Sequence, residues 1–69
     1  MPLTMARTGE TNCIKKITGR DEIRQRLTDL GFHIGERVTV ICQNSGNMIL
    51  SVKGCRIALN REMACRIIV

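Results

Sequence analysis

RLTDLGFHIGERVTV, residues 26–40, holds the end of a helix, a reversal and the start of a strand. Ile23, Leu27 and Leu30 recur at helical spacing, so one face of a helix ending near Leu30 is expected to fill the core. Gly31 follows where a helix closes most easily on a residue that accepts positive φ. Phe32, the single aromatic residue of the chain, comes next and is placed to fold back over the helix end. Gly35 supplies a second sharp bend, after which Val38, Val40 and Cys42 alternate as one face of a strand. Leu27, Leu30, Gly31, Phe32, Gly35, Val38 and Val40 therefore read as architecture.

Upstream of the helix, residues 1–9 form a lead-in punctuated by Pro2 and Gly9, with Leu3 and Met5 available to pack on the body and its order left open. Glu10–Thr18 reads as a first strand. Its apolar positions Ile14 and Ile17 are three apart, which requires a bulge or a bend. Asp21 is the expected N-cap of the helix. Downstream, ERVTVICQ and MILSVK are strands separated by the NSGN turn, and Lys53–Gly54 is a two-residue link to the strand CRIALN, with Gly54 supplying positive φ. Asn60 caps a single turn through REMA, and CRIIV closes the chain as a short strand. The expected fold is mainly β, a small barrel of about five strands with one short helix inserted after the first, in a single domain over residues 1–69. Closure would remove the exposed sheet edges.

A chain of 69 residues buries only about 60% of its unfolded surface, which favours a docking surface over an enclosed active site. No apolar run approaches the ~20 residues that span a bilayer, and no secretory-signal pattern opens the chain, so a soluble, cytoplasmic protein is expected. The net charge is +5, but the basic residues are scattered, with Lys15 and Lys16 the one adjacent pair. On the helix, Asp21 precedes Arg24 by three positions and Glu22 precedes Arg26 by four, a pattern of solvated ion pairs. With Phe32 the lone ring, stacking platforms for single strands are missing, and no nucleic-acid partner is expected.

Cys13, Cys42, Cys55 and Cys65 never fall at the two-to-four-residue spacing with which thiolates grip zinc. Strand parity places Cys42 with Val38 and Val40, Cys55 with Ile57 and Leu59, and Cys65 with Ile67 and Val69. Three of the four thus read as small core hydrophobes, whereas Cys13 is out of phase with Ile14 and exposed. His33 and Cys13 are the remaining candidates for a metal, His33 through a site built from distant residues or shared between chains. No phosphate-cradling loop, nucleophile elbow or paired carboxylates occur, so neither catalysis nor a cofactor is expected. Met48, after the NSGN turn, and Arg20 and Arg24, at the helix start, are candidates for a partner surface because they are expected at solvent.

With these residues in view, the chain resembles the FeoA family of bacterial ferrous iron uptake. CIKKITG is similar to that family's first strand, RLTDLGFHIGERVTV to its central signature, and MILSVKGCRIALNREMACRIIV to its terminal strands and helical turn. The resemblance implies an SH3-like barrel that docks on, and regulates, the cytosolic part of the membrane ferrous-iron transporter FeoB. A similar signature occurs in the C-terminal domain of iron- and manganese-dependent repressors. That likeness implies an alternative, a free-standing SH3-like regulatory domain binding another protein or nucleic acid. The quoted sequence holds no helix-turn-helix ahead of the barrel.

Overall fold

Ile14 is the corner on which the fold turns. The computed structural model describes residues 1–69, and in it the strand expected over Glu10–Thr18 is two strands, β1 (Thr11–Cys13) and β2 (Lys16–Ile17). These are followed by α1 (Asp21–Asp29), β3 (Arg37–Gln43), β4 (Asn47–Val52), β5 (Cys55–Asn60), α2 (Arg61–Ala64) and β6 (Ile67–Ile68). β1 belongs to an antiparallel four-stranded sheet in the order β1-β3-β4-β5, while β2 pairs with β6 in a second sheet of two strands. The chain passes between the sheets at Ile14, whose side chain is 1% exposed. Its amide donates to the Glu36 carbonyl at 2.9 Å and its carbonyl accepts from the Gly35 amide at 2.7 Å. A bend of this kind puts both Ile14 and Ile17 toward one interior, which explains their three-residue spacing. The outcome is six short strands in two sheets rather than about five in one barrel, and β5 remains an edge.

Leu3 and Ala6 of the lead-in are buried, and a single 3-10 turn over Leu3–Met5 carries them into the core. The Val69 amide donates to the Met1 carbonyl at 2.8 Å, so the two ends of the chain lie side by side. All fourteen buried residues are apolar, and they form one cluster. No polar or charged residue is enclosed in it, as expected of an interior too small to supply partners for such groups. The exposed surface of 4384 Å² is close to the roughly 4,300 Å² expected for a closed monomer of this mass.

α1 ends as the glycine required, in a complete Schellman motif. Gly31 sits at φ +106°, the Phe32 amide donates to the Leu27 carbonyl at 3.0 Å, and the Gly31 amide donates to the Thr28 carbonyl at 3.0 Å. Phe32 and Leu27 are both fully buried, making the apolar contact across the cap. Leu30 is corrected by the same geometry. It is the C-cap residue and 39% exposed, because the turn at Gly31 delivers Phe32, not Leu30, to the core. At the other end the N-cap is Arg20, without a side-chain cap bond, and Asp21 is the first helical residue. Asp21 instead pairs with Arg24 one turn on, its carboxylate near the positive end of the helix.

The β4–β5 hairpin closes on Lys53 and Gly54, both at positive φ, 52° and 78°. That pair is the backbone signature of the type I′ turn, whose twist matches the strands it joins. Asn60 caps α2 as expected, accepting from the Met63 amide at 2.8 Å. The cysteine parity argument fails, however, at three positions. A bulge in β3 between Val40 and Cys42 shifts the register, so that Val40 faces Leu50 but Cys42 faces Ile49 on the other side of the sheet. Cys42 is therefore only half-buried, while Gln43 comes round to donate to the Ala6 carbonyl at 2.7 Å. Cys55 is exposed at the hairpin end of the edge strand. Cys65 lies at the C-cap of α2 rather than in a strand, and its thiol donates to the Glu62 carbonyl at 2.9 Å. All four cysteines are free, and Cys13 is exposed.

Candidate functional site

The helix cap does more than end α1, because the residues after it are held in a fixed loop against β1. The Glu36 amide donates to the His33 carbonyl at 3.0 Å, and Gly35, at φ +89°, donates to Ile14. With both ends of the loop tied, His33 and Ile34 project on the solvent side of the buried Phe32 ring. Ile34 is 70% exposed, the largest exposure among the large hydrophobic residues. A groove of about 610 Å³ opens between this loop, α1 and β2. Ile17 supplies its apolar floor above the fully buried Phe32, Ile34 and His33 its loop wall, and Asp21, Arg24, Gln25 and Thr28 its helical wall.

The helical wall is polar and internally satisfied. Arg24 pairs with Asp21, and the Gln25 amide donates to Asp29 at 2.9 Å. Thr28 is the one hydroxyl among the lining residues, and its side chain makes no hydrogen bond to His33 or Asp21. What it offers is an apolar floor with a mixed polar rim, the arrangement that receives one or two side chains of a macromolecular partner.

The expected site residues divide as follows. Arg24 lines the groove and Arg20 is exposed just ahead of α1. His33 also lines it. Met48 is corrected: it is 1% exposed, because its place in β4 keeps it in phase with Leu50 and Val52, facing Leu59 of β5. Cys13 is exposed in β1 opposite Arg37. No three His, Cys, Asp or Glu side chains are grouped so as to hold one metal ion. Ile34 is the residue that sequence reading passed over. Its signal was an isoleucine lodged between His33 and Gly35, in a loop where burial had no helical or strand phase to enforce it. No helix is long and apolar enough to cross a membrane.

Comparison with known proteins adds the following. The FeoA domain family model matches residues 1–69. A protein of Methanocaldococcus jannaschii, provisionally named Fe(2+) transport protein A, is 40% identical over 68 residues, 99% of this chain and 83% of its own. Among solved structures, an iron uptake regulatory protein (FeoA) superposes with TM-score 0.90 at 28% identity, over 97% of this chain and 91% of that one. FeoA of Stenotrophomonas maltophilia, described as an SH3 domain protein and complexed with zinc, gives 0.87 at 24% identity, over 99% and 87%. A manganese-dependent transcriptional repressor gives 0.90 at 17% identity, over 97% of this chain and 39% of the repressor, a likeness of fold alone.

Proposed function

The chain belongs to the FeoA family, and we propose that it is a non-catalytic accessory protein of ferrous iron uptake that docks on the cytosolic part of a FeoB-type membrane transporter and regulates it. The observation that carries this reading is the groove beside α1. It combines an exposed isoleucine at a rigidly tied loop with a half-buried Ile17 floor, backed by the buried Phe32, and a polar helical wall. Interfaces concentrate their energy in small, well-packed apolar spots ringed by polar groups, and this is the one such spot shaped by the family's central sequence. Arg24 lines the groove, and Arg20, exposed just ahead of α1, extends the proposed surface beyond it. Cytoplasmic placement follows from the proposed partner.

The test is capture from native membranes with the full chain as bait, together with ferrous iron uptake in cells lacking it. The chain retains the transporter, and Ile34→Asp, a change at a residue 70% exposed, abolishes retention while leaving the melting temperature within a few degrees. Failure of the wild-type chain to retain the transporter, joined to unchanged iron uptake on deletion, sinks the proposal. Retention by Ile34→Asp at the wild-type level would move the docking surface away from the groove.

A further inference from the structure

The four-stranded sheet ends on β5, and the hydrogen-bond alternation of the β4–β5 hairpin states which of its backbone groups are free. A two-residue type I′ link makes Val52 and Cys55 a bonded pair, so in an antiparallel ladder Leu50 with Ile57 and Met48 with Leu59 are bonded too. The Arg61 amide, donating to the Gly46 carbonyl at 3.3 Å, continues the same alternation. Arg56, Ala58 and Asn60 therefore direct their amides and carbonyls away from β4. Arg56 and Ala58 enter none of the turn, loop or cap bonds, the Asn60 carbonyl is taken by the first turn of α2, and all three residues are exposed.

An open edge of six residues is a template for another strand, and natural sheets blunt such edges with proline, bulges, lysine or a covering segment. β5 has no proline, no lysine and an unbroken register with β4 from Cys55 to Asn60. The strand is also complementary to itself. In an antiparallel pair turned about a two-fold axis through Ala58, Ala58 meets Ala58, Arg56 meets Asn60, and Ile57 meets Leu59. The outward groups of Ala58 and Arg56 and the amide of Asn60 are then brought to the second strand, the apolar pair stays on the core side, and the single charge of each strand faces an amide rather than its own copy. Centring the pair on Arg56 would set guanidinium against guanidinium, and centring it on Asn60 would run the strands into α2.

We propose that a second copy of this chain adds to the β5 edge in that register, joining two four-stranded sheets into one of eight strands. The surface is separate from the groove beside α1, none of whose lining residues lies in β5. A dimer thus presents two grooves, and the inference stands or falls independently of the transporter partner.

Sedimentation of the full chain from micromolar to millimolar concentration is the test. The mass rises from 7.7 kDa toward twice that value. Ala58→Lys, which sets two ammonium groups opposite each other across the axis, holds the protein at the monomer mass with its circular dichroism spectrum unchanged. Ala58→Pro removes the outward amide and does the same, proline being tolerated where the N–H faces away from the sheet. Because either variant could perturb folding, Ala58→Cys gives a second readout. Hydrogen-bonded antiparallel partners have Cα atoms about 5.5 Å apart, within disulfide range, so added diamide yields a 58-to-58 cross-link identified by peptide mapping. A monomer at every concentration, a dimer that Ala58→Lys leaves intact, or a cross-linked product without the 58-to-58 linkage overturns the proposal.

Discussion

Replacing Gly31 by alanine tests the helix cap from which the fold and the groove both follow. At φ +106° the new Cβ would meet only Val52 Cγ1, at 4.0 Å, an ordinary contact, so the substitution acts through the backbone and not through a clash. Holding an L-residue in that region costs about 1–3 kcal/mol, and the loss of glycine's freedom in the unfolded chain returns about 0.4–1 kcal/mol. Relaxing the turn is no escape. It sacrifices the Phe32-to-Leu27 and Gly31-to-Thr28 hydrogen bonds, each 3.0 Å long and each worth about 0.5–1.5 kcal/mol net. Both routes lead to a destabilisation of about 1–2 kcal/mol. A domain of this size, with about 3–10 kcal/mol in total, loses a substantial part of its stability, and its melting temperature falls by about 5–15 °C. Thermal and urea unfolding followed by circular dichroism measure the loss, with Gly31→Asn falling less because asparagine enters the left-handed region more readily. An alanine variant that melts at or above the wild-type temperature would refute the account of the cap.

Three further outcomes follow from the same structure. Phe32→Ala empties the largest fully buried side chain and costs about 3–5 kcal/mol, comparable with the whole stability, so the variant shows little cooperative unfolding at room temperature where Phe32→Leu still shows a transition. Asn60→Ala leaves the Met63 amide without its acceptor and lowers stability by about 1 kcal/mol in urea titration; an unchanged midpoint would remove the cap from the argument. Arg24→Ala breaks a pair whose side chains are 51% and 91% exposed, and stability changes by only a few tenths of a kcal/mol, so any loss of partner capture in that variant reports on the groove wall and not on folding.

The two glycines of RLTDLGFHIGERVTV were legible because their signals are short-range. Gly31 and Gly35 lie at positive φ, and the Schellman bonds span six residues of one helix end. Gly54 and the Asn60 cap were readable for the same reason, each depending on neighbours within three positions. Met48, expected at solvent beside the NSGN turn, is buried by the short-range phase it shares with Leu50 and Val52, whereas Leu30, Cys42, Cys55 and Cys65 were misread where phase had to be carried further. Alternation holds only while a strand keeps its register, and the bulge after Val40 exchanges the faces of Cys42 and Gln43. Leu30 keeps helical spacing, yet the helix has ended by the time it is reached, and the place it would have filled is occupied by Phe32.

The sequence by itself determined the mainly β architecture, the helix and its glycine end, the hairpin link and the family, since all of these reside in local backbone preferences and in an ordered string of short motifs. Only the tertiary structure decided that the first strand divides between two sheets at Ile14, that β5 is left as an edge, and that Ile34 stands exposed over Phe32 beside α1. Those outcomes depend on which distant segments compete for the same hydrogen bonds and the same interior volume. Residue spacing does not carry that information, because the competition is settled only when the whole chain has packed.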